Sequence, residues 1–325
     1  MDGSTVLAER QSPAATTGAG ATPALFAGDG ATARRFWEFF AVTIRNRNTR
    51  RAYLTAVRGF DDWCARRGIG LAAVEPMVVA AYIEELTRTR APATVKQHLA
   101  AIRALFDWLV LGQVVSFNPA AAVRGPKHVV KGGKTPVLSA EEARSLLDGI
   151  ATDTVVGLRD RALIGVMVFS FARVSAAVGM RVRDYRTQGR RAFFRLAEKG
   201  GRFNEVPAHH TAAEYVDAYL AAIEGTGDRN SALFRAVETG GRLGLRPLSR
   251  IHALRMVKRR AKVAGLSEDL SPHSFRATGI TEYLRGGGDR DTAARIAGHE
   301  STRTTRLYDR RDDEVTLDEI ERIHI

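Results

Sequence analysis

Two arginines, a lysine, two histidines and a tyrosine, spread over one half of this chain, are of types that together could do chemistry on a phosphate ester. Arg173 stands in Phe169-Ser-Phe-Ala-Arg-Val-Ser175, and Lys199 in Glu198-Lys-Gly-Gly-Arg202. His273-Ser-Phe-Arg276 sets an imidazole and a guanidinium at i and i+3, hence on one face of a helix. Gly298-His299 follows, and Thr304-Thr-Arg-Leu-Tyr308 closes the series. A guanidinium is a planar fork that matches two phosphate oxygens at once. An imidazole exchanges protons near neutral pH, and a phenol, with a pKa of about 10, attacks only where cations favour its anion. Alone, each has a plainer reading. Arg173 would snorkel from a helix end, Lys199 would tip a polar hairpin, and Tyr308 would be half-buried packing.

The elements that must position these groups are mostly helical. Residues 1–30, rich in Ala, Gly, Thr, Ser and Pro without periodicity, are expected to be a disordered tail. Residues 31–123 predict an all-α bundle. One stripe is Phe36, Phe39, Phe40 and Ile44; a second is Tyr53, Val57, Phe60 and Cys64, ending at Gly68 and Gly70. Pro76 suits a first helical position ahead of Val79, Tyr82, Ile83 and Leu86. Val95, Leu99, Ile102, Phe106 and Leu109 repeat at +4 and +3, as a buried helix face does. Residues 124–137 read as a basic linker; Arg124, Lys127, Lys131 and Lys134 lie in it. Gly133-Lys134-Thr135 is not a P-loop, because His128 stands where that loop needs glycine and Pro136 follows where a helix should open.

From 138 to 325 the pattern describes a second domain. Ser139-Ala-Glu-Glu142 is a capping box. An apolar helix is expected over about 157–171, with Arg173 at its close. A small antiparallel sheet follows over 181–207, turning at Gln188-Gly189 and Gly200-Gly201. Helices return at about 211–223, 249–264, 273–285 and 290–297, with Gly298 capping the last of these. Leu317, Ile320 and Ile323 mark a short amphipathic helix in an acidic setting.

Charge and composition narrow the partners. The 325 residues carry 49 Lys+Arg against 36 Asp+Glu, a net +13. Residues 1–30 hold −2 and 309–325 hold −4, which leaves +19 on the body between them. So basic a body suggests a polyanion, with a basic proteome background as the plain alternative. A hydrophobic share of 45% and a charged share of 26% exclude wholesale disorder. The one cysteine, Cys64, excludes an intramolecular disulfide framework and a cysteine-based zinc cluster, and suits a reducing cytoplasm. Ala162–Ala172, the longest apolar run, is too short to span a bilayer, and the first residues, with Asp2 and Glu9, lack the apolar core of a secretory signal.

In order and spacing together, Arg173, Lys199, His273-x-x-Arg276, Gly298-His299 and Tyr308 resemble the tyrosine recombinase family, of the phage-integrase and Xer type. The resemblance runs from about residue 35 to 310. It takes in the all-helical first domain, the Asn118-Pro119 turn and the 23-residue step from Arg276 to His299. It implies a mainly α fold: an all-α, SAM-like core-binding bundle, then a mostly α catalytic domain with a small antiparallel β-sheet. The two would form a C-shaped clamp on duplex DNA. It further implies a site-specific recombinase that cuts and rejoins DNA through a 3′-phosphotyrosyl link, with no cofactor, no metal and no ATP. Tyr308 would be the nucleophile, and Arg173 and Arg276 would stabilise the charge built on the phosphate. Lys199 would protonate the departing 5′-oxygen, His273 would be general acid/base toward the phenol, and His299 would hold the phosphate.

The same resemblance gives partners and alternatives. Expected partners are double-stranded DNA and further copies of the chain, two on a site and four in a synapse, with or without a second recombinase, in a bacterial nucleoid-associated cytoplasmic setting. The 317–323 helix would dock on a neighbouring protomer. Arg50, Arg51, Arg58, Lys96 and Arg103, with the four linker cations, are the candidate DNA contacts. Two departures stand out: Ala176 and Ala177 where the family puts an acidic residue soon after the first arginine, and Ala277 where it puts histidine. The alternatives are a decayed DNA-binding protein, which should have lost one of the six types although all are present, and a type IB topoisomerase or telomere resolvase.

Overall fold

Asp29 opens the first helix, α1 (Gly30–Glu38), by accepting from the Thr32 amide at 2.7 Å. The computed structural model describes residues 21–127, 135–198, 201–223, 228–299 and 301–309. The chain divides into two units, Met1–Val129 and Val130–Ile325. In the first, α1 runs into a π-helical turn, Phe39–Thr43, and α2 (Arg47–Ala65) follows with Asn46 as its cap. Then α3 (Pro76–Thr89) and α4 (Pro92–Leu111) each begin on proline, which has no amide hydrogen to leave unpaired at that position. The predicted stripes turn inward together: Phe36, Phe60, Val95, Ile102 and Phe106 share one core.

That core corrects the expected tail. Ala24–Phe26 form a 3₁₀ turn, and the buried Phe26 ring stacks on Phe36 at 4.9 Å between centroids. The Asp61 carboxylate, itself buried, accepts from the Leu25 amide at 2.6 Å and the Ala24 amide at 3.1 Å. One aromatic ring held by a distant carboxylate leaves no periodicity in sequence, so composition alone misplaces the boundary. Residues 1–20 lie outside the described residues.

In the second unit the capping box forms, Ser139 and Glu142 bonding each other's backbone amides ahead of α5 (Ala140–Asp148). α6 (Val155–Phe169) is apolar nearly all round and forms the centre of the core, packed by α8 (His210–Ala222). It stops at Phe169, earlier than expected. Phe171 has a φ of +53°, and Arg173 becomes the N-cap of a further helix, α7 (Val174–Val178), rather than the close of α6. The expected sheet is β1 (Tyr185–Gln188), β2 (Arg191–Ala197) and β3 (Phe203–Pro207), antiparallel in that order, with Phe194 opposite both Tyr185 and Val206. A second, two-stranded sheet, β4 (Arg235–Val237) with β5 (Leu243–Pro247), has no counterpart in the sequence reading. Its strands are too short to show alternation.

Four helices complete the description: α9 (Arg250–Val263), α10 (Pro272–Arg285), α11 (Arg290–Ile296) and α12 (Thr302–Arg306). α10 lies against α6 so closely that a Cβ at Gly279 would sit 2.0 Å from the Val168 carbonyl oxygen. This contact sets where α10 delivers its side chains. Gly279→Ala should therefore force the helices apart and destabilise the unit by about 1–3 kcal/mol, a fall in Tm of roughly 2–10 °C. An unchanged melting curve would mean that the two helices do not meet this closely.

Candidate active site

α10 carries two of the six residues one turn apart. The Arg276 side chain is 1% exposed; Nη1 donates to the Phe171 carbonyl and Nη2 to the Ala297 carbonyl at 2.7 Å. The left-handed turn at Phe171 and the end of α11 thus supply acceptors that fix the guanidinium plane. Burial, then the neighbouring Arg173 charge, lowers its pKa to about 10. His273 precedes it by one turn and places Nε2 2.8 Å from the Tyr308 hydroxyl. Burial first, then Arg276 and Arg173, lowers the His273 pKa, so the ring favours the neutral state in which Nε2 can accept the phenol proton.

His299 arrives by a different device. Gly298, at φ +57°, ends α11 in a Schellman motif: its amide donates to the Arg295 carbonyl, and the His299 amide to that of Ala294 at 2.9 Å. The imidazole then stacks on the Tyr308 ring, centroids 5.7 Å apart at 13°, while Nδ1 meets the buried Thr305 hydroxyl at 2.8 Å. Burial, Arg276, Arg173 and His273 together push its pKa down to about 4. Tyr308 is held by its backbone as well. Its carbonyl accepts from Thr281 Oγ1 on α10 at 2.8 Å, and the next residue, Asp309, pairs with Arg290 at 2.6 Å.

Arg173 reaches the same place from the N-terminus of α7. Nη1 pairs with the Glu198 carboxylate, and Nη2 lies 3.5 Å from the Gly298 carbonyl oxygen. A cavity of about 420 Å³ opens here, lined by Arg173, Glu198, Arg202, Asn204, His299 and others. Of the six predicted residues, Arg173 and His299 line this hollow, while His273, Arg276 and His299 gather at Tyr308; the sixth, Lys199, lies outside the described residues, between Glu198 and Gly201. Sequence reasoning missed Glu198, Thr281 and Thr305. Of these only Glu198 carried a signal, its place beside Lys199.

The depressed imidazoles make binding pH-dependent. An anionic phosphate arriving beside His299 raises its pKa, so binding takes up a proton and strengthens as pH falls from 7.5 to 5.5. In the free protein the sign is opposite for folding: the contribution is whole above about 6.5 and is lost as pH falls toward 4. Half-site Kd values at pH 5.5 and 7.5 check the first statement. Wild type should bind more tightly at 5.5, His299→Gln should show a smaller change, and equal slopes would remove His299 from the account.

The expected DNA contacts in the first unit divide. Arg51, Lys96, Arg124 and Lys127 are exposed. Arg50 instead directs Nε and Nη2 to the Ile44 carbonyl at 3.1 and 2.7 Å. Arg103 gives Nε to the Ala120 carbonyl at 2.9 Å and Nη2 to that of Val123. With Asn118, whose side chain bonds the Arg103 carbonyl and the Ala120 amide, it pins the segment after α4. Both arginines thus close backbone turns before they can serve phosphates. Lys131 and Lys134 lie outside the described residues. A basic surface not anticipated is α9, which exposes Arg250, Arg255 and Lys262, while the buried Asp160 pairs with its Arg259 and Arg260.

Comparison with known proteins matches the Phage integrase family over residues 136–314 and its N-terminal SAM-like domain over 34–113. The chain is 34% identical to tyrosine recombinase XerD of Bifidobacterium longum over 79% of this chain and 84% of the relative. It is 29% identical to XerD of Chlorobaculum tepidum, over 80% and 85%. In fold it is similar to a lambda integrase dimer bound to a COC′ core site, with a TM-score of 0.67 at 18% identity over 87% of this chain and 79% of that one. It is also similar to the XerH recombinase bound to difH in a pre-cleavage complex, with a TM-score of 0.63 at 20% identity over 84% and 78%.

Proposed function

The chain belongs to the phage integrase family and is a site-specific DNA recombinase, and we propose that Tyr308 is its nucleophile, acting on the phosphate that its own Arg173, Arg276 and His299 hold. The observation that carries this is the 2.8 Å contact between the Tyr308 hydroxyl and His273 Nε2, close to the Arg276 and Arg173 guanidinium groups of the same chain. His273 takes the phenol proton as the tyrosyl oxygen bonds phosphorus. The bond to the 5′-oxygen breaks, and Lys199 returns a proton to that oxygen. One phosphoester replaces another, so the reverse step rejoins the strand without ATP. Stabilisation of the pentacoordinate charge falls to the two guanidinium groups, which are fixed before DNA arrives.

The two units, Met1–Val129 and Val130–Ile325, would act as core-binding and catalytic domains, with the basic 124–137 segment spanning their boundary in the chain. Exposed cations on both, Arg51, Lys96, Arg124, Lys127 and those of α9, would meet phosphates, making affinity fall steeply with salt. Among the proteins of similar fold are a lambda integrase dimer on a core site and a tetramer on a Holliday junction. For this chain the corresponding reading is two copies on a site and four in the synapse, alone or with a second recombinase, with residues 315–325 docking between copies. The relatives are recombinases, which sets aside the decayed binding protein and the topoisomerase.

The test is a nicked suicide duplex, whose short downstream fragment, bearing the freed 5′-hydroxyl, diffuses away and so traps the intermediate. Duplexes with randomised arms serve as the starting pool, and selection for the trapped species identifies the site. A covalent adduct on a denaturing gel, mapped by peptide mass to Tyr308, is the expected result. No adduct from the whole pool, or one mapped to another residue, would overturn the assignment.

A further inference from the structure

We propose that Glu198 is the positioning residue for Arg173, holding one nitrogen of the guanidinium so that its other edge meets the phosphate. This rests on the reading of the site given above. Arg173 needs such a partner. Its side chain is 38% exposed at the mouth of the cavity, where a free arginine samples many rotamers. The helix it begins offers nothing polar one turn on, since Ala176 and Ala177 are both buried and apolar. Glu198, only 10% exposed, supplies the acceptor from a different element, the end of the β2–β3 hairpin. It binds Nη1, and the Gly298 carbonyl lies 3.5 Å from Nη2. Nε–H and the Nη2–H beside it form the remaining edge, and such an edge is the one a phosphate takes two at a time.

The carboxylate is itself built in. The Glu198 amide donates to the Arg202 carbonyl at 2.7 Å, closing the hairpin. Asn204, on β3, donates to the Arg295 and Ile296 carbonyls at 3.2 and 2.9 Å and so ties the hairpin to the end of α11. Gly298 leaves the room: a Cβ there would stand 3.1 Å from Glu198 Cδ. The Glu198 carboxylate thus ties the hairpin to Arg173, and Arg173 and Asn204 tie both to the end of α11 and the turn that carries His299.

The experiment uses full-length protein and the suicide duplex selected by wild type, with single-turnover adduct formation and Kd measured separately. Glu198→Gln keeps the shape and removes the charge. It should slow adduct formation by about 10–100-fold while Kd stays within about threefold. In an Arg173→Lys background the same change should slow the reaction by less than about threefold, because coupled residues do not add. A merely structural role would give the full loss in both backgrounds. Glu198→Asp, which keeps the charge but shortens the reach, provides a second reading should Glu198→Gln melt early. An adduct formed at the wild-type rate by Glu198→Gln would overturn the proposal. So would a faster one with tighter binding, which would mean that the carboxylate competes with DNA for Arg173. Failure of wild type to form any adduct would instead overturn the nucleophile assignment on which the proposal stands.

Discussion

Tyr308→Phe should leave no covalent adduct on the suicide duplex, a loss of at least about 10⁴-fold, while half-site binding stays close to wild type. Only the phenol oxygen is removed. The ring keeps its stacking on His299 and its edge contact with His273, and Thr281 and the Arg290–Asp309 pair go on holding the backbone. Stability should change by no more than the lost hydrogen bond, about 1 kcal/mol. The placement of Tyr308 beside its own His273 supports the reading that each copy supplies its own nucleophile. Mixing Tyr308→Phe with an Arg276 variant should restore no adduct, since neither copy then holds both groups. Recovery of adduct in the mixture would mean that the tyrosine serves a neighbour's site.

The site was readable from the order and spacing of its residues on short, well-signalled elements. His273 and Arg276 share a face because Pro272 and Ser271 start α10 immediately before them. His299 is placed by a glycine whose φ of +57° few other residues tolerate. What sequence could not give are contacts between elements. The Phe171 carbonyl that holds Arg276 depends on a left-handed residue after α6, in a run that reads as unbroken helix. Arg173 was expected to close that helix and instead begins the next. Arg103 and Arg50 show the converse error, for a cation that reads in sequence as a DNA contact is claimed by nearby carbonyls. Leu25 and Phe26 entered the core through Asp61, which no local pattern reports. Glu198 completes the list: the missing acid after Arg173 was visible as Ala176 and Ala177, but its replacement lies 25 residues away along the chain and is visible only in the fold.

Arg276→Lys is the second large effect, because it keeps a formal cation and removes nearly everything else. Arg276 does three things with one planar group: two nitrogens hold the Phe171 and Ala297 carbonyls, and the remainder faces Tyr308 and the phosphate site. An ammonium on a shorter stem cannot span two carbonyls and a phosphate. At least one buried carbonyl is then left unpaired, at about 1–3 kcal/mol, and Tm should fall. The larger effect is on cleavage. Loss of one fixed donor to the developing oxyanion already slows reactions by about 10²–10³-fold. Burial here lowers even a guanidinium to about 10, and an ammonium, more strongly hydrated and lower to begin with, would give up its proton more readily. Cleavage by Arg276→Lys should therefore be about 10³-fold slower or worse at pH 8, and the gap to wild type should narrow as pH falls and the amine gains its proton. A rate within tenfold of wild type at pH 8, or a gap that widens toward acid, would show that charge at this position suffices and that the two carbonyl contacts do not hold the catalytic geometry.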